Sequence, residues 1–332
     1  MTNDPGRIYV TGAAGMIGTN LCRALLDTGY EVVGVDNFWR GTVRNLEPLE
    51  TRSGFSFRHA DIIADQDWFS DMTPDSVLIH AADIVAGIDY IFSNEWRVFR
   101  KNILINTQIA RVANQFQPRQ LIYLGTVCSY PQGLQLSVDT SMLSESLKLP
   151  ADPESGYGWS KLVGEVEFIL AVKGTRTRLT VLDLHNVYGW PCIYADGTAQ
   201  VIPALINRAL NSTDGKLVVW GDGTQGRGFL HVDDIVQGVL SAIGYSGDEQ
   251  AFMLGPNHCT TIGEVARLIQ GHKAIDIDEI VYDTSKPVGD IGRFADAELA
   301  RRELGWDVTV KFEEGLAELI DHIVEDRARR SD

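Results

Sequence analysis

The sequence predicts an α/β protein: a doubly wound parallel sheet with a smaller C-terminal substrate-binding lobe. Three observations carry the prediction. Short apolar or β-branched runs alternate with helical patterns through the first 185 residues, a glycine-rich turn joins the first run to the first helical pattern, and beyond Asn186 turn-rich pieces separate shorter helices and strands. Strands alternating with helices at this spacing give a parallel sheet whose ligands sit at the carboxyl ends of the strands.

Residues 7–11 form the first run, followed by Thr11-Gly-Ala-Ala-Gly-Met-Ile-Gly18 and a helical pattern through Asp27. Gly12, Gly15 and Gly18 permit a tight turn, close approach of backbone to a pyrophosphate, and tight packing of helix on strand. Met16 and Ile17 open a helix whose unpaired N–H groups suit the phosphates. The second run, 31–35, ends in Asp36-Asn37. A carboxylate there suits the two ribose hydroxyls of NAD and would repel the extra phosphate of NADP, although Arg40 lies close by. The third run, 55–59, leads into Asp61-Ile62, placed to meet an adenine, and the fourth, 77–80, ends in Ala81-Ala82, where small side chains let a cofactor lie against the backbone. A helical stretch over 92–116, a strand over 120–124, a helix over 157–172 and a strand over 179–184 complete a Rossmann-type sheet. Residues 1–185 are thus expected to form the NAD-binding domain, with 233–250 returning to it, and residues 186–232 and 251–330 to form the second lobe.

The chemistry centres on Tyr157-Gly158-Trp159-Ser160-Lys161 at the head of the 157–172 helix. Residues four apart share a helix face, so Lys161 can reach toward Tyr157. A phenol ionises near pH ~10, and a nearby cation favours its charged form. That is what a sugar hydroxyl needs if it is to lose a proton while its carbon gives up hydride.

The chain has 332 residues, enough for a substantial core, with 44% hydrophobic and 22% charged residues. A net charge of −16 argues against a nucleic-acid or membrane-surface partner, because a polyanion would be repelled. Residues 1–7 are polar and no apolar run approaches membrane-spanning length, so a cytoplasmic protein without a signal peptide is expected. Cys22, Cys128, Cys192 and Cys259 show neither CxxC nor Cys/His spacing; free thiols are expected, and no metal.

With the glycine loop, Asp36, Ala81-Ala82, Asn102 and Tyr157/Lys161 in order, the chain resembles the extended short-chain dehydrogenase/reductase family of nucleotide-sugar-modifying enzymes. Three stretches most resemble GDP-mannose 3,5-epimerases and GDP-fucose synthases: Ala81-Ala-Asp83 with Ser93-Asn94 and Asn102; Leu124-Gly-Thr-Val-Cys-Ser-Tyr-Pro131; and Val201-Ile-Pro-Ala204 through Val219-Trp-Gly-Asp-Gly-Thr224 to Arg227, Phe229 and His231-Val-Asp-Asp234. The resemblance implies that Asn102 belongs to the cofactor site and that Thr126 is a catalytic hydroxyl bonding the sugar oxygen beside Tyr157. It gives Lys161 a dual part, holding the nicotinamide ribose and tuning the phenol. It implies that Thr126, Asn186, Val201, Arg227 and Arg293 meet the substrate, the two arginines at the diphosphate.

In the same likeness Cys128 is a candidate base. Once a keto sugar exists, protons on the neighbouring carbons become acidic and a thiolate can remove one. An acid on the opposite face must return it. Pro191, in Tyr188-Gly-Trp-Pro191, stands where the synthases carry a histidine, and Tyr194-Ala195 stands near the epimerases' lysine, leaving Cys192 and His185 as alternatives. Asp183 stands where relatives hold an arginine. Dehydratases of the family carry an acidic pair after the catalytic hydroxyl, and Val127-Cys128 supplies none. The expected activity is an NAD-dependent nucleotide-sugar epimerase, GDP-hexose favoured, working through a transient keto sugar, with a keto-sugar reductase or a non-catalytic nucleotide-sugar sensor as alternatives. The expected partners are a nucleotide-diphosphate sugar and, through helices 92–116 and 157–172, a second copy of the chain.

Overall fold

In the computed structural model, residues 6–331 are described apart from 66, 139–141, 287 and 289–290. Residues 1–5, and Gly289 and Asp290 of the stretch that leads to Arg293, therefore lie outside the described residues.

Strands β1 (Ile8–Thr11), β2 (Val32–Asp36), β3 (Phe55–His59), β4 (Val77–His80), β5 (Gln120–Thr126), β6 (Arg178–Leu184) and a later strand at Ala251–Leu254 form one parallel sheet. Between β1 and β2 runs helix α1 (Met16–Asp27), and α2 (Val43–Glu50) leads into β3. Helices α3 (Ile88–Ser93) and α4 (Glu95–Phe116) join β4 to β5, and α5 (Gly156–Val172) joins β5 to β6. β1 pairs with β2 on one side and β4 on the other, so the winding reverses there, which opens a crevice at the strands' carboxyl ends.

Alternation along the strands explains both layers. Ile8 and Val10 of β1 face a core shared with Leu21 and Leu25 of α1, whereas Tyr9 faces the opposite core with Ile109 of α4 and Phe168 of α5. A parallel sheet covered on both faces reads as a continuous apolar run, as β4 does in Val77–His80. Strand β5 runs to Thr126, two residues beyond the expected end, carrying that hydroxyl to the carboxyl end of the sheet. The helical stretches expected over 92–116 are parted at Asn94, whose side-chain amide donates to the Tyr90 carbonyl (3.0 Å) and so competes with the backbone ladder.

After β6 the chain crosses to the second lobe through β7 (Asn186–Tyr188), α6 (Val201–Leu210), β8 (Lys216–Trp220), β9 (Gly226–Arg227) and β10 (Phe229–His231). It returns with α7 (Val232–Ala242), which packs on α1, and β11 (Ala251–Leu254), which pairs in parallel with β6. This corrects the boundary expected at 251: Phe252 and Leu254 sit in the α1-side core, and so do Ala300 and Trp306. Two fully apolar inward positions in β11 outweigh the turn-rich texture around it. β12 (Thr260–Thr261), α8 (Ile262–Gln270) and β13 (Glu279–Asp283) then build the second lobe, before α9 (Glu298–Leu304) and α10 (Phe312–Ser331). The second lobe's core joins Ile202 and Ile206 of α6, Val265 and Ile269 of α8, and Leu316 and Ile320 of α10. Among the described residues no helix is long and apolar enough to cross a membrane.

Candidate active site

One cleft of about 910 Å³ runs from the glycine loop to the second lobe, and all the residues expected to meet cofactor or substrate line it except Asn102. A volume of this order suits a pair of organic ligands better than a solvent channel. At the cofactor end, Gly12 has φ +73°, and a Cβ there would stand 2.8 Å from the Ala81 carbonyl; one at Gly18 would stand 2.0 Å from the Gly12 carbonyl. A Cβ at Gly15 would meet only the Gly12 carbonyl, at 3.3 Å, leaving that stretch of backbone open to the cleft. α1 begins at Met16 with no side-chain cap, so its first N–H groups face the same space. The cradle therefore fits a pyrophosphate.

Asp36 does two things. Its carboxylate accepts from the backbone N–H of Ala14 (3.0 Å) and of Phe38 (2.7 Å), which fixes the glycine loop, and it still lines the cleft where ribose hydroxyls would lie. Burial pushes its carboxyl up, against these hydrogen bonds. Asn37 donates to Asp61 (3.2 Å), and with Ile62 they form the far wall. Asn102 has a different part from the one expected. It is fully buried, accepts from Ile84 N–H (2.8 Å) and donates to Ile84 O (3.2 Å), bracing the segment behind the cleft.

At the centre, Thr126 and the Tyr157 phenol line the same part of the cleft, and the Thr126 side chain favours the ionised phenol. Thr126 Oγ1 also accepts from Cys128 N–H (3.2 Å), so the turn that follows β5 presents hydroxyl and thiol to the same space. The Arg293 guanidinium donates to Cys128 Sγ (3.3 Å). Lys161, four residues further along α5, is held by partners from other elements. Its ammonium is paired with Asp83 and donates to Leu124 O (2.6 Å). Burial, and after it the Asp83 carboxylate, hold the Tyr157 phenol well above its ordinary value, against Thr126 and Arg293.

Neither alternative to the missing acid is charged at neutral pH. Burial pushes the Cys192 thiol up to about 12, against the pull of Arg40. Burial, helped by Arg293, pushes His185 down to about 3, and neither of its ring nitrogens has a hydrogen-bond partner among the described residues. Toward the second lobe, Asn186 lines the cleft with a buried Oδ1 that has no partner among the described residues, Val201 opens α6, and Arg227 donates to Gly226 O (2.8 Å) and Val288 O (3.3 Å).

Sequence reasoning had not assigned a role to Asp83, Trp220, Arg208 or Gln225, all of which line the cleft. Asp83 stood within a quoted motif, but nothing in the spacing pointed it at Lys161. Arg208 packs 5.0 Å over the Trp220 ring, and Gln225 Oε1 is buried without a partner among the described residues. Only the fold brings these three together.

The same chain shows similarity to known proteins along nearly its whole length. It is 29% identical over 311 residues to GDP-mannose 3,5-epimerase 1 of Oryza sativa subsp. indica, covering 93% of this chain and 79% of that one. It is 30% identical over 322 residues to UDP-glucose 4-epimerase of Mycolicibacterium smegmatis, covering 95% and 97%. Its structure aligns with that of UDP-glucuronic acid 4-epimerase from Bacillus cereus in complex with UDP-glucuronic acid and NAD, with a TM-score of 0.80, 25% identity and coverage of 96% and 99%. Residues 8–255, from β1 to the end of the sheet, match the NAD dependent epimerase/dehydratase family. A match that takes in both the pyrophosphate cradle and the Thr126/Tyr157 pair settles the placement: this chain belongs to the NAD-dependent epimerase/dehydratase family, and its cofactor is NAD.

Proposed function

We propose that the chain is an NAD-dependent epimerase of a nucleoside-diphosphate hexose, GDP-linked, acting through a transient keto sugar. The observation that carries this reading is that Thr126, at the carboxyl end of β5, and Tyr157 line one cleft, with Cys128 beside Thr126 and Arg293 on the thiol. Bound NAD supplies an acceptor for hydride and returns it. Tyr157 takes the hydroxyl proton of the sugar and gives it back, and Thr126 orients the same oxygen. Cys128 stands where a thiolate could exchange a proton on the carbon beside the carbonyl, with the Arg293 guanidinium 3.3 Å from its sulfur. Inversion at the oxidised carbon, or at one neighbour, is what a site with a single such base supports.

The preference for guanine rests on the second lobe. Trp220 offers a flat face, Arg208 beside it carries paired donors of the kind that match guanine O6 and N7, and the unpartnered Gln225 Oε1 can accept from the guanine N–H groups. The similarity to the rice GDP-mannose 3,5-epimerase supports the same preference.

A homodimer is part of the proposal. Trp159, Val163, Val166 and Leu170 follow one another along the outer face of α5 at helical spacing, Leu170 is 64% exposed, and Trp96 of the adjoining α4 is 74% exposed. An apolar stripe on a packed helix pair suits a second copy of the same pair.

The test is incubation of the NAD-loaded protein with GDP-, UDP- and dTDP-hexoses in deuterated water. Epimerised GDP-hexose is the expected product. Deuterium on the neighbouring carbon, lost in Cys128→Ser, would assign the thiol as base; inversion without deuterium would assign oxidation and return at one carbon. Conversion of none of the sugars, or net consumption of reduced nicotinamide, would overturn the epimerase reading.

A further inference from the structure

The loops that leave β2, β1 and β4 stand side by side at the carboxyl ends of their strands, with the glycine loop of β1 in the middle. Two strand spacings, about 10 Å, separate the outer two. The loop after β2 rests on one side of the glycine loop: Gly41 is packed so closely that a Cβ there would fall 2.4 Å from the Ala14 carbonyl, and Asn45, just inside α2, donates to Ala14 O (2.8 Å). The loop after β4 rests on the other side, where a Cβ on Gly12 would stand 2.8 Å from Ala81 O. Arg40, one residue before Gly41, joins the outer loops to each other, because its Nη1 donates to the Val85 carbonyl beyond β4. Arg40 and Val85 line the cleft together with Gly12 and Gly15.

A side chain that runs from the β2 loop to the β4 loop crosses the crevice where the glycine loop and the uncapped start of α1 offer their N–H groups. A guanidinium carries five N–H donors, and a carbonyl accepts one of them without neutralising the charge. Among the described residues no carboxylate forms an ion pair with Arg40. Asp196, on the cleft wall before α6, acts on it at longer range, and the Asp196 Oδ1 accepts from the N–H (2.7 Å) and hydroxyl (2.6 Å) of Thr198. A planar cation beside a row of backbone donors suits an anion with several oxygens. An arginine lying against Asp36 would suit the extra phosphate of NADP. This one is drawn to Val85, on the far side of β1, and leaves Asp36 to face the ribose.

We propose that Arg40 is a cofactor-binding residue that closes over the pyrophosphate of NAD, held between that group and the Val85 carbonyl, and so slows the release of the dinucleotide. The inference rests on NAD as the cofactor and not on the choice of sugar. An epimerase restores its alcohol only with the hydride it removed, so reduced cofactor leaving midway would strand a keto sugar. A side chain that bridges the crevice keeps the dinucleotide in place through both halves of the reaction.

The test follows bound cofactor and needs no turnover. Protein loaded with NADH is chased with excess NAD, and the loss of bound NADH fluorescence gives the release rate. Arg40→Met is expected to release NADH at least about tenfold faster than wild type, and to bind NAD more weakly by a like factor in calorimetry. Arg40→Lys, which keeps the charge and loses the fork, is expected to lie between. Wild-type affinity is expected to fall more steeply with added salt than that of Arg40→Met, a difference that a loosened loop would not produce. Release at the wild-type rate in Arg40→Met, or an equal salt dependence, overturns the proposal. So does loss of NADP binding with NAD binding kept, which would put the guanidinium at the ribose phosphate. Loss of GDP binding by the NAD-loaded variant, with NAD binding kept, would give Arg40 to the sugar nucleotide and overturns it equally. If Arg40→Met does not fold, Arg40→Gln, which keeps an N–H donor, takes the same measurements. Faster NADH release in a protein that epimerises no sugar would sink the proposed function and leave this inference standing.

Discussion

Lys148 Nζ lies 2.5 Å from Asp183 Oδ2, and both side chains are buried. Asp183 occupies the β6 position where the resemblance expected an arginine, and Lys148, from the segment before α5, brings the positive charge from the opposite side. Glu165 of α5 shares the same ammonium at 2.6 Å, and Tyr130 donates to Asp183 at 3.0 Å. Gly125 makes the room, since a Cβ there would fall 2.4 Å from Asp183 Oδ1. The reversed charge thus has its own counter-ion, and the cluster anchors Tyr130 two residues beyond Cys128.

Lys148→Met leaves two buried carboxylates without their cation. A loss of about 3–5 kcal/mol is expected, because an unpaired buried charge keeps its desolvation cost with no compensating attraction. Urea or thermal unfolding measures it. Asp183→Asn added to Lys148→Met is expected to recover part of the loss; a Lys148→Met protein as stable as wild type would remove the cluster's structural role.

His80 is buried between Thr11 Oγ1 (2.9 Å) and Asn106 Oδ1 (3.0 Å), and burial pushes it down to about 3, as it does His185. An unfolded histidine titrates near ~6.5, so below that pH the unfolded chain takes up protons that the folded one refuses. The stability from these two groups is full above ~6.5 and is lost as pH falls toward their folded values, by up to about 1.4 kcal/mol per pH unit for each. Unfolding curves for wild type and His185→Gln between those limits test this: the wild-type slope should be the steeper, and parallel slopes would mean that His185 is charged when folded.

Tyr157→Phe removes the acid–base hydroxyl and leaves the ring. Turnover is expected to fall about a hundred- to ten-thousand-fold with NAD affinity nearly unchanged. Thr126→Val should fall in the same direction by less. Stopped assays and calorimetric NAD titration separate the two effects. Full activity in Tyr157→Phe would end the assigned chemistry.

Gly12→Ala places a methyl 2.8 Å from the Ala81 carbonyl on a residue with φ +73°. The strain alone is about 1–3 kcal/mol, and the displaced loop is expected to weaken NAD binding at least tenfold. Isothermal calorimetry reads the affinity. An unaltered dissociation constant would show that the pyrophosphate does not lie on this loop.

Val166→Arg with Leu170→Glu places charges in the exposed stripe of α5. Sedimentation is expected to show a dimer for wild type and a monomer for the double variant, with melting little changed because neither side chain is in the core. A wild-type monomer would mean that the stripe is not an interface.

Much of this was legible in the residues. The inner strands of the sheet could be read from apolar runs because they are covered on both faces, and Val77–His80 is buried along its whole length. Gly12 and Gly18 were legible because a Cβ would meet backbone at either position. The strand at Ala251–Leu254 was missed: four residues in a turn-rich region carry no period, and their membership of the sheet depends on β6, some seventy residues earlier. Asn102 was assigned to the cofactor site through the resemblance; that its amide grips Ile84 is visible only in the fold.

What the sequence by itself determined is what short range decides. The glycine turn, the strand ends and the Tyr157/Lys161 spacing follow from steric limits and helical period within a few residues. Tertiary structure alone decided the charge partners. Lys161 answers to Asp83, Lys148 to Asp183, and Cys128 to Arg293, each brought from a distant part of the chain. Helical spacing says which face a lysine occupies, but its field is set by whichever carboxylate the folded chain buries beside it, and that depends on contacts between elements that no local pattern encodes.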